Sequence, residues 1–422
     1  MSILDIKSSV VSVIGLGYIG LPTAAIVAEN GYKVVGVDVN EHAVSCVNRG
    51  EIHIVEPGLA ESVKDAVDAG LLHAVTTPVP ADVYVIAVPT PCHSDKKPDT
   101  SYVAEVARQI APLIKIGDTI ILESTSPVGT TEMVGDIISE MRSELKLATS
   151  FDDESHEVFI AHCPERVLPG RAMIELVEND RIIGGLSRLC AERTASFYRS
   201  FIRGEAIVTS ARTAEMSKLT ENAFRDVNIA FANELSMICD SLDIDVWELI
   251  RLANRHPRVD ILQPGPGVGG HCIAVDPWFI VASAPGQAKL IAAARGVNDL
   301  KPNWVIEQVE RALQKVRETG NEEPRITALG LAFKADIDDL RESPALYITN
   351  RLADLGYSVN AVEPNVSSHP SLLDKRVKLL NLEDSIRCSD VVVVLVDHKE
   401  FRELDLTDFE GRTVIDTKGM LV

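Results

Sequence analysis

The sequence predicts an α/β protein with an N-terminal Rossmann domain, a central all-helical region and a C-terminal Rossmann-like domain. Three observations predict this class: a glycine-rich turn between a strand pattern and a helix pattern, two long helical patterns in the middle of the chain, and a return to alternating strands and helices near residue 320. We expect domains at 1–209, 210–318 and 319–422. The 422 residues, 46% of them hydrophobic, are sufficient for several packed cores.

Composition excludes several classes of protein. The formal net charge of −21 argues against nucleic acid or an anionic membrane surface as a partner. The N-terminal segment lacks the features of a signal peptide, and no apolar run reaches the ~20 residues that span a bilayer. Seven cysteines without a CxxC pair indicate reduced thiols. We therefore expect a cytoplasmic protein.

The first 38 residues carry a dinucleotide fingerprint. The β-branched run Val10 to Ile14 leads into GLGYIG, a helix pattern follows, and a second strand pattern ends at Asp38. Gly15 allows a tight turn, Gly17 lets a pyrophosphate approach the backbone, and Gly20 lets the helix pack closely. Asp38 would accept hydrogen bonds from ribose hydroxyls and repel a 2′-phosphate. The sequence therefore predicts NAD binding.

Further strand patterns at Asp82 to Val88 and Asp118 to Leu122 place polar loops at the carboxyl edge of a parallel sheet. Thr90 and Thr125 lie in these loops, where a nicotinamide or a substrate binds. The alternative is that they are N-caps of the following helices. For Thr125 both interpretations are retained.

A carboxylate follows the next strand pattern, Val158 to Ala161. Glu165 is either a functional loop residue or a solvated surface charge, and the residues alone favour the second. Strand patterns at Arg181 to Gly185 and Ala206 to Val208 complete this α/β half.

The central region begins with a helical pattern from Thr213 to Leu242, which contains neither glycine nor proline. Lys218 and Asn222 are four residues apart and share one face, as surface polar residues or as catalytic groups. A second helical pattern, Gln287 to Glu318, would pack against the first. Long apolar helices of this kind also suggest a homodimer surface.

A glycine cluster, GPGVGGHCIAVDP, lies between these helices from Gly265 to Pro277. Such a cluster is retained where the backbone needs positive φ or where a ligand lies against it. Cys272 follows directly and is placed to act on a bound ligand. The alternative is an ordinary turn followed by a buried cysteine.

The C-terminal part has strand patterns at Arg325 to Leu329, Tyr357 to Val362, Asp390 to Val396 and Thr413 to Ile415. It lacks GxGxxG, but Lys334 and helix N-termini could still bind a nucleotide.

An NAD site, a loop cysteine, a Lys/Asn pair and a loop carboxylate together suggest oxidation through a thioester. The Cys272 thiolate would attack an enzyme-bound aldehyde, and water would later cleave the thioester. Lys218 and Asn222 would stabilise the oxyanion. Glu165 or Asp276 would serve the water step.

Seven motifs in order resemble the UDP-sugar dehydrogenase family: GLGYIG, VPTP, STSPVGT, CPERVLPG, KxxxN, GPGVGGHCIAVDP and FKADIDDLRESP. The family oxidises the C6 alcohol of a nucleotide sugar to a carboxylate with NAD, and it has an NAD domain, dimerising central helices and a UDP domain. The resemblance implies catalytic roles for Cys272, Lys218, Asn222, Asp276, Glu165 and Thr125. It implies cofactor contacts at Gly15, Gly17, Tyr18, Ile19, Gly20, Asp38, Pro89, Thr90, Thr125 and Arg341. It implies substrate contacts at Glu165, Arg166, Val167, Lys218, Asn222, Arg258, Gly265, Gly267, Gly269 and Lys334.

Departures from the sequence pattern of UDP-glucose dehydrogenases indicate which branch of the family this sequence resembles. Val268, His271 and Val275 replace residues of GFGGSCFxKD, and Pro169 stands where a second glutamate is usual. These changes resemble the UDP-N-acetylhexosamine branch, in particular UDP-N-acetylmannosamine dehydrogenases. The implied substrate is UDP-N-acetyl-D-mannosamine, with UDP-N-acetylglucosamine or UDP-glucose as alternatives. Glu165 remains the preferred group for activating water, with His271 as a substitute.

Two other classes share part of this pattern. A β-hydroxyacid dehydrogenase has a Rossmann domain and a KxxxN helix but needs no thiol. A nucleotide-sensing protein would keep the fold without the chemistry. The doublets His162-Cys163 and His271-Cys272 are compatible with zinc, but adjacent residues rarely bind one ion, so we expect no metal.

Overall fold

The structure, a computed structural model, describes residues 9–93, 95–168, 170–270 and 272–421. The chain divides into two compact units. The first comprises Met1–Glu221 and Trp278–Ala284, and the second comprises Asn222–Pro277 and Pro285–Val422. Each unit has its own sheet and its own hydrophobic core.

An eight-stranded sheet forms the first unit. Its strands are Val10–Ile14 (β1), Lys33–Val37 (β2), Leu72–Val75 (β3), Val83–Ile86 (β4), Thr119–Leu122 (β5), Phe159–His162 (β6), Arg181–Gly185 (β7) and Ala206–Ser210 (β8). The spatial order is β3-β2-β1-β4-β5-β6-β7-β8. The order reverses between β1 and β4, and in open α/β sheets ligands bind at the carboxyl ends of the strands at this point.

In the described ranges seven helices accompany this sheet, and the predicted turns and helices of the Rossmann domain are present. They are Gly20–Glu29 (α1), Glu41–Asn48 (α2), Leu59–Asp68 (α3), Ser101–Ile110 (α4), Thr130–Met141 (α5), Ala172–Glu178 (α6) and Arg188–Tyr198 (α7). The sequence patterns missed β3. This four-residue edge strand exposes His73 and therefore lacks the continuous apolar run of the central strands.

One strand pair departs from the predicted parallel arrangement. β6 and β7 are antiparallel and share only two residue pairs, Ala161 with Gly185 and His162 with Gly184. Beyond these pairs β7 continues past the carboxyl end of β6. If the same register is extended by three residues, residue 165 lies opposite residue 181.

The central region, as far as the structure describes it, contains the helices Ala211–Leu242 (α8), Val246–Ala253 (α9), Asp276–Ser283 (α10) and Lys289–Glu318 (α11). The segments of α8 and α11 in the second unit are joined by buried polar contacts, among them an ion pair between Asp226 and Arg295 at 2.6 Å. The predicted packing of these two long helices is therefore observed.

The second unit ends in a five-stranded parallel sheet, Arg325–Leu329 (β9), Ser358–Val362 (β10), Lys378–Leu379 (β11), Val391–Val394 (β12) and Thr413–Asp416 (β13), in the order β11-β10-β9-β12-β13. The helices Pro344–Asp354 (α12) and Leu382–Arg387 (α13) accompany it. The predicted fold class is confirmed. Across the described ranges, no helix combines the length and the apolar character that a membrane span requires.

Candidate active site

The turn after β1 has the geometry that a dinucleotide requires. Gly15 has a φ of 95° and donates its N–H to the Val37 carbonyl at 2.8 Å. A Cβ at Gly20 would lie 1.7 Å from the Gly15 carbonyl oxygen, so α1 begins directly against the turn. A Cβ at Gly17 would meet no atom within 4 Å, which leaves the backbone open to a pyrophosphate. The three glycines therefore fit the NAD predicted from the sequence.

Asp38 is held beside this turn. Its Oδ2 accepts the Leu16 N–H at 2.9 Å, and its Oδ1 accepts the Asn40 N–H at 2.8 Å. Each oxygen keeps a second lone pair that can accept from a ribose hydroxyl. Tyr18 is exposed in the turn, and Ile19 is the residue before α1.

The loops after β4 and β5 are linked to each other. The Thr90 hydroxyl donates to the Thr125 carbonyl, and both threonines are half-buried, while Pro89 is exposed. The expectation that they are N-caps is wrong, because Thr100 precedes α4 and Gly129 precedes α5. Residues 126–129 lengthen the second loop, so that α5 begins five residues after Thr125.

Glu165 is buried, so its interpretation as a solvated surface charge is wrong. Its Oε2 forms an ion pair with Arg181 Nη1 at 2.6 Å, and its Oε1 accepts the Arg166 N–H at 2.6 Å. Arg181 is also buried and lies over the Tyr198 ring. The antiparallel pairing of β6 with β7 brings these two residues together. The buried guanidinium stabilises the Glu165 carboxylate and holds it in one orientation.

The loop that carries Glu165 is tied to the first turns of α8. Arg166 Nη2 lies 2.7 Å from Glu221 Oε1, and Val167 packs on the hydrophobic core of the first unit. Lys218 lies one turn before Glu221 and is half-buried. Within the described ranges, no carboxylate forms an ion pair with Lys218, so its ammonium is available to a developing anion.

Cys272 differs from the other cysteines in its exposure. All seven cysteines lie in the described ranges; Cys272 is exposed, and the other six are buried or half-buried. Its carbonyl accepts the N–H groups of Val275 and Asp276 at 3.1 and 2.9 Å, which makes a tight turn before α10. The Asn222 amide donates to the buried Asp276 carboxylate at 2.5 Å. The structure thus connects two predicted catalytic residues to the cysteine loop.

Packing accounts for three glycines of that loop. A Cβ at Gly267, Gly269 or Gly270 would come within 3.0 Å of protein atoms. Those atoms belong to Pro302, Phe333, Glu342 and Pro344. At Gly265 a Cβ would lie 3.8 Å from Lys418 Nζ, an ordinary contact, so packing does not require a glycine there. Close backbone packing within the second unit therefore requires the other three glycines. The alternative of a turn followed by a buried cysteine is wrong in its second part, because Cys272 is exposed.

A cavity of about 300 Å³ lies beside the loop in the second unit. Pro266 and Gly267 line it together with three cations, Lys334, Arg402 and Lys418. Sequence reasoning identified only Lys334, because the other two cations come from segments that reach the cavity only in the folded sheet. Three cations around one cavity favour a phosphorylated ligand.

Glu363, the residue directly after β10, fixes the turn that presents Lys334. Its carboxylate accepts the Leu331 and Ala332 N–H groups at 2.7 and 3.0 Å. The His398 imidazole lies 3.1 Å from the same carboxylate, and both side chains are buried. Buried hydrogen bonds therefore hold the turn that leads to Lys334.

Asp397 balances part of the positive charge at the cavity. It lies 3.2 Å from Lys418 and 3.1 Å from Arg402. Burial opposes ionisation of Asp397, but the Lys418 ammonium and the Arg402 guanidinium hold its pKa below the ordinary value. The carboxylate therefore orients both cations toward the cavity that they line.

Comparison with known families identifies the domains. Residues 9–202 match the NAD binding domain of the UDP-glucose/GDP-mannose dehydrogenase family, residues 212–300 its central domain, and residues 327–422 its UDP binding domain. The chain belongs to this family. Its cofactor is NAD, and Lys334, Arg402 and Lys418 lie within the family's UDP binding domain.

Individual relatives of the dehydrogenase cover almost the whole chain. An NDP-N-acetyl-D-galactosaminuronic acid dehydrogenase of Ralstonia nicotianae is 56% identical over 99% of this chain and 97% of its own length. A UDP-N-acetyl-D-mannosamine dehydrogenase of Escherichia coli is 55% identical over 97% of this chain and 98% of its own. The solved structure of the UDP-D-ManNAc dehydrogenase from Pyrococcus horikoshii is 37% identical with a TM-score of 0.86, covering 98% of this chain and 96% of that one.

The remaining predicted contacts of the dehydrogenase lie in loops. Arg341 forms a bidentate pair with Asp339, at 2.9 and 2.7 Å, and Arg258 lies exposed after α9. His271, the alternative water-activating residue, and Pro169, which replaces the second glutamate, lie outside the described residues.

The His162-Cys163 doublet is completely buried. Burial lowers the pKa of His162 to about 3 and raises the pKa of the Cys163 thiol to about 12, so both are neutral at physiological pH. Neither side chain has the ionised, accessible character of a reactive group.

Proposed function

We propose that this dehydrogenase oxidises the C6 hydroxyl of UDP-N-acetyl-D-mannosamine to a carboxylate in two steps, through a thioester on Cys272. The observation that carries the proposal is the exposure of this one thiol, on a turn that Asn222 and Asp276 connect to α8. A dehydrogenase that made only an aldehyde or a ketone would need no such thiol.

NAD, when bound, accepts the hydride at each oxidation. Gly15, Gly17 and Gly20 would hold its pyrophosphate, and Asp38 its adenosine ribose. Thr90 and Thr125 would position the nicotinamide beside C6. Open backbone at Gly17 and the fixed Asp38 carboxylate support this assignment.

Cys272 retains the intermediate between the two oxidations. Its sulfur adds to the carbonyl carbon of the aldehyde and gives a thiohemiacetal, and loss of a hydride and a proton then gives the thioester. Water adds to the thioester and expels the thiolate. Overall, the alcohol and one water give the carboxylate, two hydrides and three protons.

The surrounding residues stabilise charge and move protons. Lys218 and Asn222 would stabilise the oxyanion, and a donor of this kind typically contributes about 3 kcal/mol. Asp276 would exchange protons with the sugar oxygen. Glu165, held in place by Arg181, would orient and polarise the water.

The UDP moiety of the substrate is assigned to the cavity with Lys334, Arg402 and Lys418. Lys334→Ala is expected to raise the KM for the UDP-sugar by about tenfold and to change kcat little, because a phosphate contact far from C6 acts equally on ground and transition states. Steady-state kinetics check this, with the exposed Lys399→Ala as a matched control. If the KM is unchanged and calorimetry shows unaltered UDP binding, this cavity is not the UDP site.

The choice of sugar rests on relatives and requires a direct test. The mannosamine and galactosaminuronic acid dehydrogenases are almost equally similar to this chain, so UDP-N-acetylgalactosamine is the second candidate. NADH production should be compared for these two sugars, UDP-N-acetylglucosamine and UDP-glucose. The highest kcat/KM is expected for UDP-N-acetyl-D-mannosamine, and rapid turnover of UDP-glucose alone would refute the assignment.

A homodimer through α8 is also proposed. Phe224, Phe231 and Ile238 are spaced seven residues apart and are 68%, 50% and 46% exposed, so they form one apolar stripe on the helix. A second copy of the same helix would cover such a stripe by symmetry. In a dimer, Arg255 or Arg258 could also reach the neighbouring active site.

Phe231→Glu is expected to convert the dimer to a monomer, because two buried carboxylates would face each other near the symmetry axis. Light scattering after size-exclusion chromatography measures the mass. The exposed Leu406→Glu, far from α8 in sequence, is the control. A monomeric wild-type protein at micromolar concentration would contradict the proposal.

A further inference from the structure

A row of buried polar side chains runs between α8 and α11 within the second unit. Its members are Asp226, Arg295, Asn298 and Asn233, each at most 2% exposed. None of them was singled out by the sequence motifs. Buried polar groups of this kind are costly unless their partners are complete, so their arrangement calls for a specific role.

The row is a continuous chain of hydrogen bonds. Arg295 Nη1 lies 2.6 Å from Asp226 Oδ1, and the Asn298 amide donates to the same oxygen at 2.8 Å. Asn233 Nδ2 donates to Asn298 Oδ1 at 2.8 Å. Asn233 Oδ1 accepts the backbone N–H of Gly265 at 2.9 Å. This chain of hydrogen bonds therefore ends on Gly265, the first residue of the cysteine loop.

The donor and acceptor groups of these side chains fix the direction of each hydrogen bond in the row. An Asp226 carboxylate can only accept, so Asn298 must present its NH₂ to Asp226 and its carbonyl oxygen to Asn233. Asn233 must then donate to Asn298 and turn its own oxygen toward Gly265. Burial raises the pKa of Asp226, but the Arg295 guanidinium opposes that rise and favours the carboxylate that sets this order.

Two asparagines of α8 hold the two ends of the loop. Asn233 binds Gly265 at its start, and Asn222 binds Asp276 at its end. The two asparagines are about three helical turns apart, roughly 16 Å, so both project from nearly the same face. Cys272 is therefore carried on a loop whose two ends are attached to one helix.

We propose that Asn233 is a positioning residue for Cys272. It fixes the start of the cysteine loop through the Gly265 N–H, and its side chain is completely buried, so it would act through the loop and not on the substrate directly. The inference rests on the proposed function, in which Cys272 is the nucleophile. Loss of this hydrogen bond releases the loop at one end and reduces the fraction of time for which the thiolate is placed for attack.

Asn233→Ala is expected to lower kcat for carboxylate formation by about 10- to 100-fold with a KM change below about threefold. Asn233 lines neither the UDP cavity nor the NAD turn, and the three cations of that cavity come from segments other than the cysteine loop, so binding should persist. The control is Asn303→Ala on α11, an exposed asparagine that accepts one long hydrogen bond from Tyr347. Circular dichroism and thermal unfolding establish that each variant is folded.

The pH dependence of kcat in Asn233→Asp distinguishes a hydrogen-bonding role from a packing role. If Asn233 served packing alone, this variant would show the same pH dependence as the wild type. When the introduced carboxyl group is protonated, it matches the asparagine amide, since its O–H can donate to Asn298 while its carbonyl oxygen accepts from Gly265. When it is ionised, its negative charge faces the Asn298 oxygen and the hydrogen bond is lost. We expect kcat relative to wild type to rise at least about fivefold as pH falls from about 8 to about 6.

Other charged groups near Asn233 also affect the pH profile of Asn233→Asp. The Asp226–Arg295 ion pair lies beyond Asn298, and Lys418 Nζ lies close to Gly265. Lys301 bonds Ser236, one turn further along α8. Burial lowers the pKa of Lys301 to about 7, so the wild-type profile over the same pH range is the reference that removes its contribution.

The outcomes separate the two proposals. If Cys272→Ala still forms the carboxylate at the wild-type rate, the proposed function fails, whatever Asn233 does. If Cys272→Ala is inactive while folded Asn233→Ala keeps the wild-type kcat, the positioning role is overturned. If Asn233→Ala does not fold, the pH profile of Asn233→Asp decides, and a profile parallel to that of the wild type overturns the inference.

Discussion

Replacement of Cys272 by alanine is expected to lower the rate of carboxylate formation by more than about 10³-fold, the scale on which covalent nucleophiles act. Without the sulfur, an aldehyde formed at C6 is not retained and can leave before a second hydride is lost. Product analysis by mass spectrometry, together with NADH absorbance, measures the effect.

The matched control for Cys272→Ala is Cys388→Ala, a half-buried thiol in the C-terminal sheet region, which should remain fully active. NAD binding by Cys272→Ala should equal that of the wild type, since the cofactor turn lies around Gly15. A Cys272→Ala protein that forms carboxylate at the wild-type rate would refute the thioester route.

Replacement of Lys218 by methionine is expected to reduce kcat by about 10²- to 10³-fold, the usual effect of removing one oxyanion donor. Methionine keeps most of the aliphatic volume, so packing on α8 should be preserved. Lys218 is half-buried, and no carboxylate in the described part of the chain forms an ion pair with it, so loss of its charge should cost little stability.

Steady-state kinetics should show that Lys218→Met changes kcat far more than KM. Lys315→Met, an exposed lysine near the end of α11, is the control and should be neutral. A Lys218→Met variant whose only defect is a raised KM would place Lys218 in substrate binding and remove it from oxyanion stabilisation.

Local sequence patterns predicted the parts of the site that are formed by residues close together in the sequence. GLGYIG and Asp38 belong to one strand-turn-helix-strand unit, so their spacing alone indicates the cofactor turn. The exposed thiol of Cys272 follows a glycine cluster that is visible in the sequence.

Features that depend on pairing between distant segments were not predictable in the same way. Glu165 resembled a surface charge until the antiparallel register of β6 and β7 placed Arg181 against it. Arg402 and Lys418 reach the cavity of Lys334 only through the order of the C-terminal strands. No motif marks Asn233, because its role comes from a hydrogen-bond chain between two helices.

The glycine cluster of the cysteine loop has a structural role that the motif did not predict. The sequence suggested that a ligand lies against the bare backbone, and at Gly265 no close protein contact accounts for the glycine instead. Gly267, Gly269 and Gly270 are required because other parts of the same unit pack against them. Glycine marks close approach, but the sequence alone does not show what approaches.

The central claim is that one active site removes two hydrides from one sugar. The most direct test is the number of NADH molecules formed when a limiting, known amount of UDP-N-acetyl-D-mannosamine is oxidised to completion with excess NAD. We expect two NADH for each sugar and a uronate product. One NADH for each sugar, with an aldehyde as the final product, would contradict it.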